Sequence, residues 1–491
     1  MTEDWQDLVL VKPGGRLETF GSLSEFSGFA PPLDIGLLSG YLRAKGFSVS
    51  VIDADAEFLT PEETATRILE KKPLLVGFFA HTIRMLHASK TLKLVRESDS
   101  GIRTLFGGRH PTALPERTLV EEKVDFVCQG EAFLPLEKLL LVLRKNVAAR
   151  QVGEIEGLWY RQDNRIVHHP PASLVDLNSL PMIAWDLLPM ESYRAHNWQC
   201  LSNLAVRGPY GILYTSLGCP FNCSYCVVNT VYGGPGIRLR DVDRVVEDFE
   251  HLVKIYRVKY LRVTDDLFTF LPRRIMELCE KLAPRAGDVN IWVYARVDTV
   301  TEGLLKAMRA AGIRWVCYGI ESGQEEVRQG VRKDFRRGRI YEAVDLTRKV
   351  GLHIIGNFIF GLPDDTRESM EATLRMAEEF NCEYVNFYTA MAWPGSRLYE
   401  EALARGIRMP DTWQGYSPLA YETLPLPTKH LTASEVLEFR DRAFEHYFSR
   451  KAYQDMVKEK FGEAAVQHVE QMLKRRIKRK YVDEVRLTQK W

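Results

Sequence analysis

Short apolar runs alternate with amphipathic stretches through the first part of the chain. Leu8–Val11, Ser48–Asp53, Leu74–Phe79, Thr104–Gly108 and Val124–Glu131 read as buried strands. Between them, Pro31-Pro32-Leu33 leads into a helix over Ile35–Lys45 that ends at Gly46, a second helix starts at Pro61, and a third follows from Leu134. This alternation predicts an α/β fold that begins with a doubly wound parallel sheet over 1–144. Such sheets bind ligands outside the carboxyl ends of their strands. Here those ends are Pro13–Gly15, His81-Thr82, Gly107–Thr112 and Gly130-Glu131. Residues 145–205 read as a connector, with a small hairpin around Gln162-Asp163-Asn164 and a Pro-punctuated apolar run over Leu177–Pro189.

From 206 the pattern becomes a repeated strand–helix unit. Strands are expected at Gly211–Ser216, Tyr260–Thr264, Ile291–Arg296, Trp315–Ile320, His353–Phe360 and Tyr384–Ala390. Helical patterns over Val242–Tyr256, Arg273–Leu282, Thr301–Ala311, Ile340–Val350 and Ser369–Glu379 follow the first five. Together they predict a partial (β/α)6 barrel of the TIM type over 206–400, whose active site would lie at the C-terminal strand ends. A helical region is expected over 401–491, with helices from Leu431 to about Phe448 and from Ala464 to Arg479.

Composition adds limits. The chain has 491 residues, 27% of them charged, and a net charge of +1, which argues against a strongly basic nucleic-acid binder. No apolar stretch is long enough to span a bilayer. The opening Met1–Asp7 is polar and acidic rather than a signal peptide. Five of the eight cysteines are isolated along the chain, which suits reduced thiols and a cytoplasmic setting. The basic run Lys474–Lys480 reads as a helix end that complements the dipole, or as a contact for an anionic partner such as a membrane surface.

The other three cysteines carry the chemistry. Cys219, Cys223 and Cys226 form a C-x3-C-x2-C loop directly after the first barrel strand. Three ligands do not complete a structural zinc site, which takes four. Three thiolates on one loop can hold three irons of a 4Fe-4S cluster and leave the fourth open. With an aromatic residue, Tyr225, before the last cysteine, the loop resembles that of the radical S-adenosylmethionine (SAM) superfamily. The resemblance implies that the open iron is chelated by SAM and that one-electron reduction releases a 5′-deoxyadenosyl radical. It also implies SAM contacts at Tyr225, at Asp265 and Asp266 after the second strand, at Arg296 after the third and at Glu321 in Gly319-Ile320-Glu321-Ser322-Gly323. The residues alone leave alternatives: the two aspartates could cap a helix, and Arg296 could pair with Asp265 or Glu321. Phe358 and Phe360 are expected to be barrel core rather than adenine contacts.

The first sheet resembles the cobalamin-binding domain that precedes many radical SAM barrels. Pro32 and Leu33, Thr82, Gly107, Gly108, His110, Thr112, Gly130 and Glu131 fall at its loops, and the resemblance implies that they cradle cobalamin. The Asp-x-His-x-x-Gly that ligates cobalt in many cobalamin proteins is absent, as it often is in relatives fused to such barrels. His81 and His110 are read as hydrogen-bonding or shape residues, not as cobalt ligands.

The implied activity is cleavage of SAM, hydrogen abstraction from an unactivated carbon and methyl transfer from cobalamin. The alternatives are a radical dehydratase, epimerase or cyclase that keeps the cobalamin-domain fold, and a non-catalytic cluster-binding or electron-carrying module. The expected partners are a small-molecule or lipid-like substrate and an electron donor such as flavodoxin or ferredoxin.

Overall fold

The computed structural model describes residues 5–145 and 152–491. The first four residues and the start of the connector (146–151), on which two of the expectations above partly fall, lie outside the described residues. The N-terminal sheet contains β1 (Gln6–Lys12), β2 (Val49–Asp53), β3 (Pro73–Phe79), β4 (Arg103–Gly107) and β5 (Phe126–Cys128), all parallel, in the order β2-β1-β3-β4-β5. β1 shows why its sequence is apolar throughout. Leu8 and Leu10 enter the core under the helices Leu33–Ala44 and Phe133–Arg144, while Val9 and Val11 enter a second core under Pro61–Glu70 and Met85–Ser98. The helix Pro61–Glu70 starts with a capping box in which Thr60 and Glu63 satisfy each other's backbone N–H groups. Helix Met85–Ser98 was not anticipated, because its polar residues dilute the apolar period.

The connector hairpin belongs to this sheet. β6 (Leu158–Gln162) pairs antiparallel with β5, and β7 (Arg165–His168) pairs with β6, so the sheet has seven strands. The short β5 leaves backbone partners free at its outer edge, and the hairpin takes them.

Six parallel strands form the barrel in sequence order: β8 (Tyr210–Leu213), β9 (Tyr260–Val263), β10 (Asn290–Ala295), β11 (Ile313–Glu321), β12 (His353–Phe360) and β13 (Tyr384–Thr389). β8 and β13 are its edges, so the barrel is open on one side. Phe358 and Phe360 are buried in the core, as anticipated. Trp198 of the connector sits 5.2 Å from the Trp292 ring and 5.4 Å from the Trp315 ring, and it fills the barrel floor.

Three C-terminal helices, Ala433–Ser449, Lys451–Phe461 and Glu463–Leu473, pack beside β13. One of their ties to the barrel is Glu383, a buried residue that pairs with Lys460 and accepts a hydrogen bond from the Ile354 N–H. Burial alone would raise its carboxyl, but His353, Lys460 and the Ile354 N–H outweigh that and hold it down to about 2. The stability this gives is present above the unfolded carboxyl's pKa near 4.5 and is lost as pH falls toward about 2. Glu383→Gln should therefore cost on the order of 3 kcal/mol at pH 7 and little at acid pH, as read by urea unfolding at several pH values.

The basic run differs from expectation. The last long helix ends at Leu473, and Lys474–Arg479 is not helical. Its arginines find tertiary partners instead. Arg475 donates to Glu25, and buried Arg479 donates to the Pro418 and Ala420 carbonyls and to Asp441. The basic run is thus not a helix, and Lys474, Arg476 and Lys478 stay exposed. Among the described residues no helix is long and apolar enough to cross a membrane.

Candidate active site between sheet and barrel

The cysteine loop leaves the C-terminal end of β8 and is held by its backbone. Gly218 has φ +91°, and a Cβ there would lie 2.5 Å from the Gly236 carbonyl oxygen, so only glycine allows this close approach. The Asn229 side chain accepts from the Cys219 N–H at 3.1 Å and donates to the Cys219 and Phe221 carbonyls at 2.9 and 3.0 Å. The Ser224 N–H donates to the Val331 carbonyl, and the Leu398 N–H donates to the Ser224 carbonyl. The thiols themselves take little part in this framework and are left for a ligand.

The donor set fits a cluster. Three unpaired thiols share one loop; among the described residues no three acidic, histidine or cysteine side chains, these three included, are close enough to hold a single metal ion, whereas a cluster takes one thiolate on each of three separate irons. Burial raises the Cys219 thiol, with Asp266 and Cys223 adding to it. Cys226 is the exposed member of the three and lies near Arg109. Desolvation and the other two thiols push it up to about 11. Such mutual repulsion is what a bound cation would relieve.

The other SAM-site candidates fall around this loop in different roles. Asp265 is buried, and its carboxylate accepts from the Thr215 N–H at 2.6 Å, the Thr215 hydroxyl at 2.5 Å and the Ser216 hydroxyl at 2.7 Å. It caps no helix and fixes the strand end from which the cysteine loop departs. Asp266 faces the space between the domains, 3.8 Å from Arg109. Arg296 pairs with Asp298 through two contacts of 3.0 and 2.9 Å, rather than with Asp265 or Glu321, and lies over the Phe221 ring. Glu321 is buried with φ +68°, pairs with Lys333 and accepts from the Tyr225 hydroxyl at 3.0 Å. Burial and this carboxylate push the Tyr225 phenol well above its usual range. At Gly319 a Cβ would lie 2.5 Å from the Glu321 carboxylate and 2.6 Å from the Lys333 ammonium, so the pair needs glycine beside it.

A cavity of ≈ 650 Å³ separates the two domains. It lies where the strand order reverses between β1 and β3, the point at which doubly wound sheets bind ligands. Pro32, Leu33, Gly108, Gly130 and Glu131 line it from the sheet side, and Ile212, Thr264, Asp266 and Tyr294 from the barrel side. Thr82, Gly107, His110 and Thr112 form the layer behind. The Thr82 hydroxyl meets His110 Nδ1 at 3.2 Å, and the Thr112 hydroxyl accepts from the Gly130 N–H at 3.1 Å. At Gly107 a Cβ would lie 2.8 Å from the Phe79 ring. His110 packs edge-on against Trp413, 4.4 Å away, and burial lowers its pKa to about 3. His81 lines the cavity with its ring exposed to it, and desolvation within the cavity and the cations Arg109, Arg84 and Lys12 disfavour its protonation. Two ion pairs bridge the domains, Arg109 with Asp266 and Glu131 with Arg238. A wide, polar-rimmed space with a glycine-bearing sheet side fits a bulky group such as a corrin.

Sequence reasoning missed Asn229, Lys333, Arg238 and Arg262. Only Arg262 carried a usable signal, because it alternates with outward-facing Leu261 and Val263 and so must point into the barrel.

Comparison with known proteins agrees with this geometry. Residues 213–377 match the radical SAM superfamily, and residues 22–140 match the B12 binding domain. An uncharacterized methyltransferase, PH0819, from Pyrococcus horikoshii is 31% identical over 86% of this chain and 88% of its own length. The anaerobic magnesium-protoporphyrin IX monomethyl ester cyclase of Rubrivivax gelatinosus is 27% identical over 77% of this chain and 67% of its own. The solved structure of the radical SAM methyltransferase TsrM from Kitasatospora setae, with cobalamin and a 4Fe-4S cluster bound, superposes with a TM-score of 0.66 at 19% identity, over 83% of this chain and 76% of that one. The chain belongs to the radical SAM enzymes that carry an N-terminal cobalamin-binding domain.

Proposed function

We propose that the protein is a cobalamin-dependent radical SAM methyltransferase acting on a small molecule held between sheet and barrel. The observation that supports the reading is that the cysteine loop borders the ≈ 650 Å³ cavity, whose lining includes Leu217 before the loop and Val228 after it. Bound there, a 4Fe-4S cluster with SAM would supply a hydrogen-abstracting radical, and cobalamin would supply the methyl group.

The chain's own residues position and shield. Cys219, Cys223 and Cys226 would hold the cluster. Asp265, Asn229 and Gly218 keep the loop in shape. Tyr225, Glu321 and Lys333 brace it from the fourth strand and the segment after it. Pro32, Leu33, Gly108, Gly130 and Glu131 are the candidate corrin contacts. The Arg109–Asp266 and Glu131–Arg238 pairs link the two domains beside the cavity. Electrons would come from a flavodoxin- or ferredoxin-like donor, and the working compartment is a reducing cytoplasm. The layout 1–144, 145–205, 206–400 and 401–491 is kept, with the hairpin β6–β7 contributing to the first sheet.

The cyclase relative is the reason for keeping a second reading, radical chemistry without methyl transfer. Loading the protein with cobalamin under anaerobic conditions, followed by gel filtration and a visible spectrum, separates the two. Methyl transfer expects stoichiometric corrin retention and transfer of label from methyl-labelled SAM to cobalamin. A protein that cleaves SAM but retains no corrin would point to the second reading.

A further inference from the structure

Lys12, Arg109 and Arg262 line the inter-domain cavity, and two of them make ion pairs. Lys12 lies 3.2 Å from Asp53 and 3.8 Å from Asp55, and Arg109 lies 3.8 Å from Asp266. Arg262 on β9 is different. Among the described residues it makes no ion pair or hydrogen bond, and its buried Nε has no partner. Its only contacts of note are the faces of Trp292, at 4.9 Å, and Tyr294, at 5.6 Å. Aromatic faces hold a guanidinium in place but do not neutralise it. Arg262 is half-buried, and the carboxylate that feels its charge, Asp266, makes no ion pair with it and lies 3.8 Å from Arg109, so one carboxylate faces two cations and a ligand oxyanion would supply the second counter-charge.

The chemistry of that ligand follows from the donor. A planar guanidinium pinned on an aromatic wall offers its free edge to a carboxylate or phosphate in a two-pronged contact. Tyr294 also lines a second cavity of ≈ 230 Å³, walled by Trp198, Tyr384, Phe387 and Tyr388. An apolar, ring-bearing body would lie against that wall while its anionic group meets Arg262.

We infer that Arg262 anchors an oxyanion of the substrate, a carboxylate or phosphate on a molecule with an apolar ring-bearing body. This rests on reading the space between sheet and barrel as the substrate chamber. SAM and cobalamin carry oxyanions too, so the test separates them.

The reconstituted protein is titrated calorimetrically with benzoate, phenyl phosphate and neutral benzamide, and in separate runs with SAM and with cobalamin. Wild type should bind at least one of the anions about 10- to 100-fold more tightly than benzamide. Benzoate against phenyl phosphate tells a carboxylate site from a phosphate site. Arg262→Gln and Arg262→Met should lose the preference. Arg262→Met, which keeps the packing of the stem, should unfold no lower than wild type without added anion, since it removes a charge that makes no ion pair or hydrogen bond and leaves Asp266 to Arg109. The inference is overturned by a wild type that treats anions and benzamide alike, by variants that keep the preference, by a lower unfolding midpoint of Arg262→Met, or by a loss confined to SAM or cobalamin. Reductive SAM cleavage by the wild type is measured alongside. Its absence would remove the functional reading, while the anion preference would still be judged by itself.

Discussion

Replacing Cys219, Cys223 and Cys226 together by alanine should give a folded protein that binds no iron and does not cleave SAM reductively. The loop is shaped by contacts that do not involve sulfur. Asn229 bonds the backbone of Cys219 and Phe221, the Ser224 N–H reaches Val331, and Gly218 makes the turn. Alanine at the three positions therefore removes donor atoms and leaves the scaffold. None of the other five cysteines can substitute: Cys128, Cys200, Cys279, Cys317 and Cys382 are buried. Enzymatic rate enhancements are typically about 10⁶-fold or more, so loss of the cluster should bring SAM cleavage down to the uncatalysed level. Iron and sulfide analysis, far-ultraviolet circular dichroism and chromatographic detection of 5′-deoxyadenosine check the three parts of the statement. SAM cleavage persisting in a variant free of iron would sink the assignment of the loop as the initiating centre.

The architecture was legible because the physics that builds it is local. A strand buried on both faces needs an apolar run, and Leu8–Val11 can be little else. The cysteine loop was legible because three thiols at close spacing have few other uses. Individual side-chain roles were less so, since a residue's partner is set by tertiary packing. Asp265 reads as a helix cap or a ligand contact until Thr215 and Ser216 are seen beside it. Arg296 has its partner two residues away, in Asp298, because the turn after β10 folds that carboxylate back. The edge of the first sheet was hidden for the same reason: nothing in Trp159-Tyr160 says that β5 will be its neighbour. The basic segment failed because Arg475 and Arg479 reach carboxylates far away in sequence, Glu25 and Asp441. These contacts override the period that suggested a longer helix.

Glu321→Ala should be the most destabilising single substitution in the site. Glu321 and Lys333 are both buried, and their charges meet each other with little water between them. Removing one partner of such a pair leaves an uncompensated buried charge, at a cost of about 3–5 kcal/mol. The Lys333→Met variant should cost a similar amount, since it strands the carboxylate. The double variant Glu321→Ala/Lys333→Met should recover much of the loss, because no buried charge remains. Urea unfolding of the four proteins at neutral pH gives the cycle, and single-variant losses that simply add would show that the pair does not act as a unit. The effect should reach the cysteines. Tyr225 lies between Cys223 and Cys226, and its hydroxyl donates to Glu321 at 3.0 Å. Without that acceptor, the buried phenol loses its polar partner and the loop loses its tie to β11. Glu321→Ala should therefore take up iron more slowly and to lower occupancy than wild type under the same reconstitution, even at temperatures where it remains folded. The double variant should recover stability but not iron uptake, because the acceptor for Tyr225 is still missing. A double variant that regains both would place the Tyr225 contact outside the assembly of the centre.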